Sequence, residues 1–292
     1  MKTHELYGNQ DFNRDPTKLD CIRVNNFQKI YEPLFMDPVV AVRQASFALD
    51  YGECFALLGV NGAGKSTTFK SLTREVLPTT GKITIQGFDV QSQFADARKL
   101  IGYCPQYDAI FPVLTVEETL KFYALIKGIR THLIEEVVEK GIRELNLKDH
   151  RNKLAGTLSG GNKRKLSVAM ALIGNPPVIL LDEPSAGMDP EARRFMWKVV
   201  EKISQRDKRS AVIITTHSME EAEALSTKMG IMVRGGVFRC MGSTQHIKNK
   251  FGVGYEVEIK VNKAGLEDLI RMAQRLGFQQ NIHAKISLES VF

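Results

Sequence analysis

The sequence has no long apolar run. Its strongest hydrophobic stretches, Val178–Leu181 and Ala211–Ile214, fall far short of the ~20 residues that cross a bilayer, so no transmembrane helix is expected. Cysteine is scarce. Cys21, Cys54, Cys104 and Cys240 lie far apart without C-x-x-C spacing. That excludes a zinc knuckle or a disulfide scaffold and points to a reducing, cytosol-like compartment. Internal repeats and low-complexity tracts are also missing. Residues 1–20 are polar with both signs of charge, unlike a secretory signal, and read as a loose leader. What remains is an ordinary globular composition of 292 residues, 43% hydrophobic and 25% charged. Such a chain buries a sizeable core as one lobed domain or two. Lys and Arg outnumber Asp and Glu by 40 to 33, giving +7. Nucleic acid, an anionic leaflet or a phosphorylated ligand could each use that charge. However, the basic groups Lys163-Arg164-Lys165, Arg193-Arg194 and Arg206 with Lys208-Arg209 sit on or beside amphipathic segments and read as solvated faces.

Periodicity sets out the organisation. Cys21–Val24, Ala41–Val42, Ala45–Leu49 and Cys54–Leu58 are strand-like, with an irregular loop at 31–38. Helical spacing is expected over Ser66–Leu77, stopping at Pro78, and Lys82–Ile85 begins a hairpin turning at Gly87. Thr115-Val116-Glu117-Glu118 has the form of a capping box opening a helix through Ile126. Further helices are expected over Leu133–Leu145, Gly161–Ile173 and Pro190–Ser204. Buried strands are expected at Val178–Asp182 and Ala211–Thr215. The alternation implies a parallel sheet with crossover helices and an inserted helical lobe. Beyond residue 248, an alternating strand at Tyr255–Val261 and an apolar stripe over Leu266–Leu276 suggest a small appended lobe.

Chemistry concentrates in two motifs. Gly59-Val60-Asn61-Gly62-Ala63-Gly64-Lys65-Ser66-Thr67 matches G-x-x-x-x-G-K-[ST] between an apolar strand and a helix. Its glycines let backbone N–H groups close around phosphate oxygens, and the helix N-terminus adds its positive end. Lys65 can reach the β- and γ-phosphates, and Ser66 can ligate Mg²⁺. The second motif is Val178-Ile179-Leu180-Leu181-Asp182-Glu183. It places two carboxylates at the C-terminal end of a buried strand, where open α/β sheets bind ligands. Asp182 would hold Mg²⁺, and Glu183 could polarise an attacking water as general base. Strand-end acids that merely cap a helix are the plain alternative, and the adjacent P-loop argues against it.

A third motif narrows the class. Leu158-Ser159-Gly160-Gly161-Asn162 resembles the LSGGQ signature of the ATP-binding cassette family. Further landmarks follow that family's order. Gln106 in Tyr103-Cys104-Pro105-Gln106 resembles the Q-loop, Ser185-Ala186-Gly187-Met188-Asp189 the D-loop, and His217 the switch histidine. The resemblance covers about residues 21–247. It implies that Gln106 contacts Mg²⁺ or the attacking water and senses membrane domains, and that His217 bonds the γ-phosphate and positions Glu183. It also implies that Ser159, Gly160 and Gly161 form a second phosphate nest, and that an aromatic residue ahead of the P-loop stacks on adenine. Tyr31 fits that slot, with Phe35 and Phe27 as competitors. Lys29–Pro33, Leu158–Ser167, Ser185–Pro190 and Gly242–Tyr255 look most like the A subfamily of lipid-handling exporters. Ile286–Phe292 is similar to the closing segment of that subfamily's ferredoxin-like regulatory lobe. Asn162 departs from the wider family's Gln, and the tail has fewer elements than a full lobe.

The expected fold is therefore α/β: a P-loop NTPase core on a mostly parallel sheet, with an antiparallel β subdomain and an inserted α-helical subdomain. A small α+β C-terminal lobe completes it. The expected divisions are a leader at 1–20, the cassette at 21–247 with its helical subdomain at about 107–174, and the lobe at 248–292. The resemblance implies binding and hydrolysis of ATP with Mg²⁺ at the cytoplasmic face of a membrane. It also implies head-to-tail pairing with a second cassette and coupling to transmembrane domains, with no nucleic acid as partner. Two alternatives stand beside it: a soluble cassette acting on nucleic acid or ribosomes, and a separate-subunit exporter ATPase. The stretch between Lys65 and Ser159 fits a helical lobe rather than a long coiled coil, and only one cassette is present.

Overall fold

The computed structural model describes residues 20–35, 37–205 and 210–251. Three strands lead to the P-loop: β1 (Ile22–Tyr31), β2 (Val39–Leu49) and β3 (Cys54–Gly59). Helix α1 (Lys65–Leu72) follows, then the hairpin β4 (Thr80–Ile85) and β5 (Phe88–Asp89), the short α2 (Phe94–Ala97) and β6 (Ile101–Cys104). A helical insertion comes next, formed by α3 (Val116–Ile126), α4 (Ile134–Glu144) and α5 (Gly160–Leu172). The chain then runs through β7 (Val178–Asp182), α6 (Pro190–Gln205), β8 (Ala211–Thr216) and α7 (Met219–Leu225). It continues through β9 (Lys228–Val233), β10 (Val237–Ser243) and α8 (Thr244–Phe251), where the first compact unit ends. The first residues of the C-terminal lobe expected at 248–292 belong to α8, and the rest of it, the leader before Asp20 and the basic group at 206–209 lie outside the described residues.

One sheet orders the strands β5-β4-β1-β2-β10-β9-β3-β8-β7-β6. Strands β9, β3, β8, β7 and β6 run parallel, while β1 pairs antiparallel with both β2 and β4. This is the α/β fold expected: a parallel core beside an antiparallel β subdomain, with helices inserted between β6 and β7. The register aligns the C-terminal ends of the core strands. Leu58 lies opposite Thr216, Thr215 opposite Asp182, and Leu181 opposite Cys104. The loops leaving these strands therefore open along one edge, and they carry Val60–Gly64, His217, Glu183 and Gln106.

The core explains the uninterrupted apolar runs. Ala56, Leu58, Ile179, Leu181, Val212 and Ile214 pack on one face of the sheet with α5 and α6. Their alternates Phe55, Leu57, Val178, Leu180, Ala211 and Ile213 pack with Phe69 and Leu72 of α1. A strand covered on both faces has no polar alternation. Under the antiparallel subdomain, Phe47 stacks on Phe55 with centroids 4.9 Å apart, and Phe238 meets both edge-on.

Several local expectations hold. Thr115 Oγ1 accepts from the Glu118 N–H at 3.2 Å while Glu118 Oε2 accepts from the Thr115 N–H at 2.8 Å, a complete capping box. Others change. The helix expected over Ser66–Leu77 ends at Leu72. Thr73 donates from both its N–H and its hydroxyl to the Phe69 carbonyl, and Arg74 turns left-handed with φ 57°, so the helical ladder is closed before Pro78 is reached. Of the segment expected at 21–24, residues 22–24 start a ten-residue strand, and 41–49 lie in one strand with no break. Irregularities in the β1–β2 register disturb the alternation there, which hides the strands from a period-two reading.

Candidate functional site

The P-loop is held by close backbone packing. Strand β3 is buried through Leu58, and Gly59 approaches β9 so closely that an added Cβ would lie 2.4 Å from the Met232 carbonyl oxygen. Gly64, with φ 101°, abuts Ala41 in the same way, at 2.5 Å from its carbonyl oxygen. Gly64 is also the N-cap of α1, and no side chain caps that helix. Its first N–H groups are left for an anion. Lys65 is buried, and its ammonium donates to the carbonyls of Gly59 (2.6 Å) and Val60 (3.3 Å). Burial lowers its pKa, against the pull of Glu183 and Asp182. A buried cation resting on two neutral carbonyls is poised for a stronger, anionic acceptor. Asn61, Gly62 and Ser66 are exposed at the same loop, while Ala63 is buried and Thr67 half-buried.

The acidic pair occupies the next strand end. Asp182 is buried and accepts a hydrogen bond from the Thr215 hydroxyl of β8. Burial pushes its carboxyl pKa up, the Thr215 hydrogen bond opposes this, and the charge of Glu183 adds to the rise. Glu183 leaves the strand left-handed, with φ 50°. Its N–H donates to Thr215, 3.2 Å from the carbonyl oxygen and 2.9 Å from the hydroxyl. The turn aims the carboxylate across the strand ends, where Gln106 Nε2 donates to Oε2 at 3.5 Å and His217 Nδ1 stands 3.5 Å from Oε1. Three residues far apart in sequence thus meet at one carboxylate.

Ser159 caps α5, its hydroxyl accepting from the Asn162 N–H at 3.4 Å, and open space surrounds Gly160 and Gly161. Asn162 Nδ2 lies 3.0 Å from His150 Nε2. No hydrogen bond among the described residues joins this turn to Lys65, Asp182, Glu183 or His217. Tyr31 ends β1 half-buried, with Lys29 Nζ 5.1 Å from its ring centroid. Phe27 is wholly buried in the core and unavailable to a ligand, whereas Phe35 is 92% exposed.

Two residues escaped the sequence reading. Arg164, expected on a solvated face, is 4% exposed and reaches the carbonyls of both the Gln106 and Glu183 loops. Glu221 is buried and accepts from Ser185 Oγ (2.6 Å), Thr216 Oγ1 (2.6 Å) and Trp197 Nε1 (3.2 Å), joining the 185–189 turn to the strand that ends before His217. A helical projection was the available signal for Arg164, since Val168 and Ala171, four and seven positions on, are both buried.

A parallel sheet whose strand ends gather a glycine-rich anion loop, a buried Asp and a Glu–Gln–His cluster defines a P-loop nucleotide hydrolase fold. Residues 42–186 match the ABC transporter family, and the chain belongs to that family through the cassette these residues form. It is 49% identical over 247 residues to the phospholipid-transporting ATPase ABCA3 of Rattus norvegicus, covering 85% of this chain and 14% of that protein. It is also 49% identical over 253 residues to the retinal-specific phospholipid-transporting ATPase ABCA4 of Homo sapiens, covering 87% and 11%. The chain thus spans a small fraction of these A-subfamily relatives. Among solved structures, an ATP-binding subunit of an ABC transporter superposes with TM-score 0.71 at 27% identity, covering 80% of this chain and 93% of that one. The dimeric cassette MJ0796 bound to ADP and Pi shares the fold, with TM-score 0.69 at 21% identity, covering 76% and 98%.

Proposed function

We propose that this chain binds MgATP and hydrolyses it as the motor domain of a membrane transporter that handles lipid. The observation that carries the reading is the meeting of Gln106 and His217 at the Glu183 carboxylate, on the same sheet edge as the Lys65 ammonium. In this reading the loop 59–67 wraps the phosphates, Lys65 exchanges its carbonyl partners for the β- and γ-phosphates, and Tyr31 stacks on adenine. Glu183 takes the proton of the attacking water as the bond from the γ-phosphorus to its bridging oxygen breaks, releasing ADP and phosphate. Gln106 and His217 hold that water and the γ-phosphate in line. Their 3.5 Å contacts are of the loose kind that closes only around substrate.

Ser66, Gln106 and Asp182 would hold the Mg²⁺ ion. The described residues contain no cluster of three or more His, Cys, Asp or Glu that could hold a metal by themselves. One buried carboxylate and a hydroxyl suit an ion that keeps waters and shares its shell with phosphate oxygens. Bound there, it would neutralise developing charge on the phosphates.

The partners follow from what is incomplete. Ser159 is exposed and open space surrounds Gly160 and Gly161, which favours head-to-tail pairing with a second cassette; the solved cassette MJ0796 is dimeric. Beside Gln106, Tyr107 is 83% exposed, and Phe111, Val113, Phe122, Leu125 and Ile126 are exposed on the loop and α3 that follow. Such an apolar surface on the helical lobe suits docking of transmembrane domains, which favours a position at the cytoplasmic face of a membrane. The names of the relatives, phospholipid-transporting ATPases, favour lipid as cargo.

Equilibrium binding of a fluorescent ATP analogue and steady-state ATPase of the 292-residue chain test the reading together. Binding that depends on Lys65 and turnover that depends on Mg²⁺ are expected. A chain that holds no nucleotide would overturn it.

A further inference from the structure

Arg164 is a buried cation whose one ionic contact among the described residues is a long one. The nearest carboxylate oxygen its guanidinium meets is Asp108 Oδ1, at 3.4 Å. Its other contacts are backbone carbonyls, and they come from two loops. From the loop after β6 it takes the carbonyls of Pro105 and Gln106, the latter at 3.3 Å. From the turn after β7 it takes those of Asp182, Glu183 (3.1 Å) and Pro184 (3.3 Å). Carbonyl oxygens turned toward one point repel each other and are costly to bury unpaired. A planar fork with five donors answers them all, and a compact ammonium cannot.

Three successive carbonyls at 182–184 can reach one guanidinium because Glu183 sits in the left-handed region, φ 50°. A non-glycine residue stays in that region only where its surroundings over-determine it. Here Thr215 holds the Glu183 N–H from one side and Arg164 holds the flanking carbonyls from the other. Arg164 lies in the first turns of α5, the helix that Ser159 caps. A displacement of the Ser159 end therefore carries the guanidinium, and with it the backbone of Gln106 and Glu183.

We infer that Arg164 is a positioning residue. It ties the helix that opens with Ser159 to the Gln106 and Glu183 backbones of the same chain, so that docking at Ser159 sets the rate of hydrolysis and leaves nucleotide affinity alone. The inference rests on the proposed ATPase reading. It also separates two quantities, because none of Arg164's hydrogen bonds goes to the loop 59–65.

The test compares the full chain with Arg164→Met, Arg164→Lys and Asp108→Asn, measuring kcat and KM for MgATP, equilibrium ATP binding and the folded fraction by circular dichroism. Arg164→Met should lower kcat per folded molecule by roughly 10²-fold, the scale of an ångström's misplacement, with the ATP dissociation constant within about twofold of the parent. Arg164→Lys restores the charge without the fork and should fall between the two. Asp108→Asn leaves the carbonyl contacts in place, so its loss of kcat should be smaller, again without a change in affinity. If Arg164→Met does not fold, the lysine and asparagine variants decide. The proposal fails if the folded variants keep the parent's kcat, or if affinity weakens in step with kcat. A parent chain that binds ATP without turning it over would instead defeat the ATPase reading.

Discussion

Glu183 Oε1 lies 3.5 Å from His217 Nδ1, the two residues standing at the ends of the neighbouring strands β7 and β8. The carboxylate is sheltered, with 12% of its side chain exposed, whereas the imidazole is 64% exposed. A sheltered carboxylate beside an exposed imidazole suits the proposed roles of base and adjustable partner. Glu183→Gln removes the proton acceptor but keeps the shape of the side chain. Nucleotide binding should persist while turnover falls roughly 10²–10⁴-fold, the usual worth of a positioned general base. Near-parental steady-state ATPase in the purified variant would remove Glu183 from that role.

Adenine recognition can be assigned between two aromatics, since Phe27 is locked in the core. Tyr31→Ala should weaken binding of a fluorescent ATP analogue by about 1–3 kcal/mol, the scale of base–aromatic stacking. Phe35→Ala should leave it unchanged. The reverse pattern would move the adenine platform from the end of β1 into the 32–38 loop.

The parts of this molecule that were legible in its sequence are those governed by local rules. The P-loop glycines, the Thr115–Glu118 capping box and the apolar runs of β7 and β8 each declare themselves within a few residues. So did the meeting of Gln106, Glu183 and His217, but only through the order of family landmarks; nothing in their spacing requires it. Long-range packing was not legible. Arg164 sits between two lysines and reads as part of a wet face, because its burial depends on carbonyls from loops that begin at Pro105 and Asp182. Strands β9 and β10 were missed for a related reason. Gly230 and Gly242 interrupt their alternation, and at Gly236, in the turn between them, the backbone approaches β2 so closely that an added Cβ would meet the Val42 Cα at 2.1 Å.

Acid should loosen the helical insertion at Glu117. Its carboxylate accepts from Arg151 Nε at 2.8 Å and Lys121 Nζ at 2.9 Å, holding its pKa down from an ordinary 4.5 to about 2. A carboxylate whose folded-state pKa is depressed adds stability above its unfolded value and loses it as pH falls through the folded one. The contribution should therefore be complete above pH 4.5 and fade toward about pH 2. Solvent screening of these half-exposed partners keeps it modest. Thermal midpoints of the parent and Glu117→Gln should differ at neutral pH and converge in acid. Parallel curves down to pH 3 would show that the pairs contribute nothing.

Self-association should depend on nucleotide and on Ser159. Ser159 is exposed, its hydroxyl bonded among the described residues only to the Asn162 N–H at a long 3.4 Å, and the glycines beside it leave open space. In the Glu183→Gln background, where bound ATP persists, MgATP should raise the dimer fraction in analytical ultracentrifugation and ADP should not. Adding Ser159→Arg should abolish that gain by filling the nest, with the ATP affinity of the monomer little changed. The change also deletes a helix cap worth about 1 kcal/mol, so a second variant is needed. Ser159→Asp caps α5 as well as serine does, yet sets a carboxylate against the incoming γ-phosphate. It should prevent dimerisation as fully as the arginine while leaving the folded stability of the chain in place. If Ser159→Asp dimerises normally and only Ser159→Arg fails, bulk at the surface is the cause and the turn binds no phosphate. If neither variant alters an ATP-dependent dimer, residues 158–162 act as a helix cap alone, and the head-to-tail arrangement loses the feature that motivates it.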